Sequence, residues 1–174
     1  MSYQIYKNLA WLNELSLEEA QSAFLDCCGS QVWARRMAEL RPFAMLDDLF
    51  ASADKVWALL STVDHLEAFA AHPKIGSKKA AASQNVQAAS WSAGEQSGVD
   101  LAAKDVRDEL ADANSLYEDK FGFIFIVCAS GKTAEEMLAI CRARLGNSLQ
   151  TELAIAGEEQ RKITELRLSK LLET

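Results

Sequence analysis

The sequence predicts an all-α fold, a single compact multi-helix domain over residues 1–174. Three observations carry this expectation. Apolar residues recur at helical spacing along most of the chain, helix-start and helix-stop signals punctuate them, and the one strand-like run has no comparable run to pair with. Only two prolines and eight glycines occur in 174 residues, of which 49% are hydrophobic and 25% charged, the composition of a folded, helix-rich chain. That length can bury a core without disulfides or metals.

The elements follow in order. Ser16-Leu17-Glu18-Glu19 has the capping-box form, and Ala20, Phe24 and Cys28 then share one face, so a helix begins near Ser16. Val32, Trp33, Met37 and Leu40 keep the periodicity up to Arg41-Pro42-Phe43, where the proline sets a boundary. Met45 to Ala71 reads as two or more short helices ending at His72-Pro73. From Lys74 to Ser97 the chain turns small and polar, an ordered loop or a weak helix. Val106, Leu110, Ala113 and Tyr117 form a helical stripe. Phe121 to Cys128 is apolar with β-branched and aromatic residues and by itself reads as a strand. An isolated strand leaves backbone groups unsatisfied, so extended chain or buried helix competes with that reading. A second capping box, Thr133-Ala134-Glu135-Glu136, starts a helix that stops at Gly146-Asn147, and a last helix runs from about Ser148 to Leu172. These signals sum to about eight helices.

A formal charge of −7 and the lack of a dense basic run leave nucleic acid without an electrostatic footprint. Any anionic ligand must then be held by individual cations inside a pocket. Cys27, Cys28, Cys128 and Cys141 form no C-x-x-C pair and suit neither a zinc site nor a disulfide framework, which points to a reducing, cytoplasmic setting. No secretory signal or membrane-length apolar stretch is expected, so no membrane association is. Ser169-Lys170-Leu171 spells a peroxisomal signal but lies short of the end, and is read as chance.

Two histidines, His65 and His72, exclude a multi-histidine metal site. His65 reads as an ordinary helix-surface residue. His72 stands before Pro73, whose ring pins the local backbone as an acid–base imidazole requires, yet the residues alone favour a structural or solvent-facing histidine. Glu95 fits a solvated loop carboxylate, and Ser92, three residues earlier, fits an N-cap with Glu95 as its capping-box partner, a reading compatible with a shared active-site face. Arg167, between Leu166 and Leu168 and four residues from both Ile163 and Leu171, faces the core and needs an anion there. An internal carboxylate and a substrate carboxylate both satisfy it. Arg144 admits the same two partners.

In their order and approximate spacing, several groups of residues resemble one family. They are Arg41-Pro42-Phe43, His72-Pro73, Ser92 with Glu95-Gln96 and Gly98, Phe121-Gly122-Phe123 with Ile124 to Val127, Arg144-Leu145-Gly146-Asn147, and Lys162-Ile163 through Leu166-Arg167-Leu168. No one motif is specific, but five or more in order over nearly the whole chain resemble the 2-oxo-4-hydroxy-4-carboxy-5-ureidoimidazoline (OHCU) decarboxylases. The resemblance implies a cofactor-independent, metal-free, all-helical decarboxylase of urate breakdown that releases S-allantoin. It implies that His72 is the acid–base catalyst and that Glu95 orients substrate or shares proton transfer. Pro73 belongs to the substrate site, Ser92 hydrogen-bonds substrate, and Arg167 binds an anionic or carbonyl oxygen. The backbone at Phe123, Ile124, Phe125 and Ile126 contacts the ring and ureido group. A homodimer is what relatives suggest. Two departures from the pattern stand out: Ile124 occupies a position where members often carry proline, and the His72-to-Glu95 segment is a few residues longer than in some relatives.

Competing readings are a non-enzymatic helical interaction module and another small acid–base enzyme acting on a different heterocycle, since fold alone does not fix chemistry.

Overall fold

The computed structural model describes residues 2–75, 86–100 and 102–173. Ten helices occur among them: α1 Ser2–Glu14, α2 Leu17–Cys28, α3 Gln31–Glu39, α4 Leu46–Ala58, α5 Thr62–Ala70, α6 Val86–Glu95, α7 Ser97–Asp100, α8 Lys104–Phe121, α9 Ala134–Arg144 and α10 Leu149–Leu171. There is no β-strand among the described residues, and no described helix is long and apolar enough to cross a membrane. The all-α expectation holds. α1, which precedes the first capping signal, and α7, a single turn, lie outside the elements that the sequence predicts. The polar stretch from Lys74 to Ser97 resolves at its C-terminal end into α6, while residues 76–85 lie outside the described part.

By compactness the chain divides into two units, Met1–Ala68 with Arg161–Thr174, and Phe69–Gln160. In the first unit, Ser16 caps α2 through a reciprocal pair with Glu19, and Gly29 ends it in the left-handed conformation at φ 86°, which a residue with a Cβ adopts only under strain. Ser30 restarts the chain as N-cap of α3, its hydroxyl accepting from the Trp33 N–H. The α2–α3 pair buries Ala20, Phe24, Cys27, Trp33, Ala34 and Met37. Phe24 meets Trp33 edge-on with ring centroids 5.9 Å apart, and the Trp33 indole N–H donates to the Ala53 carbonyl. Arg41, at the predicted boundary, donates to the carbonyls of Leu12, Leu15 and Ala38 at 2.7, 2.8 and 3.0 Å. Its charge thus closes the C-terminal ends of α1 and α3 together, where the helix dipoles favour a cation.

In the second unit, α8 buries Leu110, Ala113, Tyr117 and Phe121 and packs on α9. Gly122 ends α8 at φ 78°, and Thr133 with Glu136 starts α9 as the capping box predicts. The strand-like run has its explanation between these two helices. Residues 124–129 are extended without a ladder, and side chains substitute for the missing strand. Arg144 Nη1 donates to the Ile126 carbonyl at 2.7 Å, and the Cys128 N–H donates to Glu159 Oε2 at 2.8 Å. Of the alternatives for this run, extended chain is the one realised.

Candidate active site

The second unit carries most of the predicted site residues. α5 ends at Ala70, and the His72 N–H returns to the Phe69 carbonyl at 3.1 Å, closing a turn that Pro73 cannot extend as helix. His72 is thereby half-buried at the exit from a helix. Its Nε2 lies 2.7 Å from Oε1 of Gln160, a fully buried residue of α10. Pro73 is joined to the turn between α6 and α7, its carbonyl accepting a 3.4 Å contact from the Gln96 side-chain amide.

Ser92 and Glu95 lie inside α6 on the face that also buries Ala88 and Trp91. This corrects two expectations. Ser92 is not an N-cap, because the helix begins six residues earlier at Val86, and Glu95 is no solvated loop carboxylate, being 9% exposed at the end of a helix. A buried carboxylate and a buried hydroxyl one helical turn apart are costly unless they meet polar partners. The field of Glu95 reaches Cys128, whose thiol pKa is raised by burial first, with Glu159 and Glu95 adding to the shift and Lys132 opposing it.

Gly98 has a steric reason to stand three residues after Glu95. A Cβ there would lie 2.3 Å from the Lys132 carbonyl oxygen, so only glycine lets α7 approach the turn after the extended segment. Lys132 in turn donates to the Cys128 carbonyl at 2.8 Å. Phe123 and Phe125 are buried with their rings committed to packing: Phe123 against Phe69 and Tyr117, Phe125 against Tyr117 and under the Arg144 guanidinium, 4.9 Å away. Ile126 is buried and Ile124 partly so. What these four residues can offer a ligand is therefore backbone.

Arg144 is settled in favour of the internal carboxylate. It pairs with Glu152 through Nη2 at 2.5 Å and Nε at 2.6 Å. Asn147 Nδ2 donates to the other Glu152 oxygen at 2.7 Å, and the Tyr117 hydroxyl also donates to Glu152. Burial, together with the bond to Glu152, pushes the Tyr117 hydroxyl pKa above its usual range, so it stays a donor. This network fixes Arg144, and Arg144 fixes the Ile126 carbonyl.

Arg167 belongs to the first unit. It is 2% exposed, as its apolar flanks predict, and Nη1 makes a long 3.4 Å contact with the Asp26 carbonyl. His65 is also in that unit, on α5; it is half-buried, its ring packing on Trp57 at 4.2 Å and its Nε2 meeting the Trp57 carbonyl at 3.1 Å. A cavity of about 90 Å³ there, bordered by Trp33, Trp57, Arg161 and Leu168, includes none of the predicted residues. Among the described residues, no group of three His, Cys, Asp or Glu side chains is arranged to hold a metal. Cys28 and Cys141 are buried, with burial raising their pKa values to about 12 and about 11, which keeps both as thiols.

Gln160, Glu159 and Glu152 escaped the sequence reading. Their one signal is the four-residue recurrence Glu152, Ala156, Gln160, Thr164, continued by Arg167, which puts polar groups on the inner face of α10.

Residues 13–169 match the family model of OHCU decarboxylase. The chain is 40% identical over 158 residues to an Arabidopsis thaliana uric acid degradation bifunctional protein, covering 90% of this chain and 48% of that protein, about half its length. It is 30% identical over 170 residues to the Amia calva 2-oxo-4-hydroxy-4-carboxy-5-ureidoimidazoline decarboxylase, covering 93% of each. A crystal structure of an OHCU decarboxylase in the presence of (S)-allantoin superposes with a TM-score of 0.75 at 38% identity, covering 87% of this chain and 97% of that one. With the helical fold, the ordered motifs and a match over nearly its whole length, the chain belongs to the OHCU decarboxylase family.

Proposed function

We propose that this protein is a carboxy-lyase that converts OHCU to S-allantoin without a cofactor, in urate breakdown. The observation that carries the reading is the placement of His72, half-buried at a pinned helix exit with its imidazole against Gln160, in the unit that also holds Ser92, Glu95 and the extended segment. The four free cysteines suit a reducing compartment such as the cytoplasm.

The substrate brings its own electron sink. The carbon that loses carbon dioxide also bears a hydroxyl and adjoins the ureido-bearing carbon of a C=N bond. The electron pair left behind forms a carbon–carbon double bond towards that neighbour, and the C=N pair moves onto nitrogen. Protonation of the ureido-bearing carbon, with conversion of the hydroxyl to a carbonyl, completes allantoin; one proton is consumed for each carbon dioxide released. The protein needs to orient the carboxylate, stabilise the developing charge and deliver the proton to one face. His72 is assigned the proton. Glu95 orients substrate or shares its proton traffic, Ser92 hydrogen-bonds it, Pro73 borders it, and the backbone from Phe123 to Ile126 meets the ring and ureido group. Arg167 is assigned an anionic or carbonyl oxygen on the family resemblance, its buried guanidinium being suited to a bidentate hold.

Freshly generated OHCU followed by ultraviolet absorption and circular dichroism, with and without protein, tests this. Accelerated decay to optically active S-allantoin, unchanged by chelator, is expected. A decay rate equal to the spontaneous one would refute the activity, and loss on chelation restored by a metal would refute its cofactor independence.

A further inference from the structure

The mechanism above uses His72 and leaves unexplained why a fully buried amide stands 2.7 Å from its ring. Gln160 lies in α10 between Ala156 and Ile163, both also buried, so its side chain rises from the packed face of a helix and not from a loop. A side chain placed there loses its rotamer freedom to packing and so forms a stiff support. Its contact atom, Oε1, can only accept. The imidazole nitrogen facing it must then carry the hydrogen.

We propose that Gln160 is a positioning residue that holds neutral His72 as the Nε2–H tautomer, so that Nδ1 carries the lone pair and exchanges the proton with substrate. The inference rests on the acid–base reading of His72. In the catalytic step, imidazolium Nδ1–H gives its proton to the ureido-bearing carbon as the carbon–carbon double-bond pair moves onto that carbon and the hydroxyl becomes the carbonyl, the hydroxyl proton passing to the ring nitrogen that took the C=N pair; the imidazole relaxes to the neutral Nε2–H form, and solvent restores the proton at Nδ1. Nε2–H stays on the Gln160 oxygen throughout. An amide suits this task better than a carboxylate. It fixes ring orientation and tautomer without setting against the imidazole a full negative charge that would hold it protonated.

The test uses the whole chain labelled with ¹⁵N-histidine, His72 being identified by the resonance lost in His72→Asn, together with steady-state kinetics on OHCU. Wild type should show neutral His72 with Nε2 protonated. Gln160→Met removes the acceptor at similar volume and should mix the tautomers and lower kcat by about tenfold with little change in KM, the scale expected when a catalytic group loses its orientation. Gln160→Glu keeps an acceptor at the same reach and should restore Nε2–H, with more of the ring protonated at both nitrogens because of the added negative charge. A wild-type His72 protonated at Nδ1 would overturn the proposal. So would Gln160→Met with unchanged tautomer and kcat in a background where His72→Asn is inactive. An active His72→Asn would instead remove the acid–base reading itself, with the tautomer result still reporting on Gln160.

Discussion

The α2–α3 pair and the inner face of α10 are equally buried and chemically unlike. The pair hides Ala20, Phe24, Cys27, Trp33, Ala34 and Met37, so its burial stabilises the fold directly by removing apolar surface from water. α10 hides Glu152, Gln160, Thr164 and Arg167 among Ala156, Ile163, Leu168 and Leu171. Each of those polar groups costs free energy to desolvate and is tolerated only where a partner awaits it. Glu152 has Arg144, Asn147 and Tyr117, and Gln160 has His72. The contrast separates a face that holds the fold from one whose polar groups position other residues.

The largest expected effect breaks that contrast from the polar side. Glu152→Gln leaves the Arg144 guanidinium buried without its counter-charge and should destabilise the protein by about 3–5 kcal/mol. The extended segment should loosen with it, because Arg144 holds the Ile126 carbonyl. A thermal melt matching wild type would mean that the pair is not what fixes this segment.

Arg167 sharpens the comparison by asking whether a buried cation of α10 serves substrate or fold. Arg167→Lys keeps the charge and loses the planar fork. It should melt within a few degrees of wild type while kcat/KM falls by roughly tenfold or more. Parallel melts and initial rates decide it: a large fall in melting temperature with unchanged kcat/KM would make Arg167 structural.

The smallest effect belongs to the apolar pair. Ser30→Ala removes the hydroxyl that caps α3 and should cost about 1 kcal/mol, with turnover unaltered at temperatures below the transition. A loss of turnover at constant stability would show that the α2–α3 face also takes part in catalysis.

The same contrast explains what could be read in advance. The capping boxes at Ser16 and Thr133, the stripe ending at Tyr117 and the stop at Gly146-Asn147 specify helices through local chemistry, and the structure follows them. α1 lacks a capping signal at its start, and the break at Gly29-Ser30 is masked by apolar periodicity running on through both helices. The segment from Phe121 to Cys128 was ambiguous for a different reason. Its backbone is satisfied by Arg144 and Glu159, respectively 18 and 31 residues away in sequence, which no local pattern reveals. His72 was singled out by the adjacent proline, and Arg167 by its apolar flanks. Gln160 could not be singled out, because Glu158, Glu159, Arg161 and Lys162 surround it and make α10 look polar all round. Ser92 and Glu95 mimicked a capping box because a side chain's burial is set by its neighbours in space.

The most direct test of the account is His72→Asn, assayed by circular dichroism on fresh OHCU alongside a thermal melt. An amide keeps some of the hydrogen bonds of an imidazole but cannot exchange a proton near neutral pH. The variant should melt like wild type, lose at least about a hundredfold in kcat, and leave OHCU to its spontaneous decay without the S-allantoin signal. A folded variant that still makes S-allantoin at the wild-type rate would contradict the central claim that His72 delivers the proton.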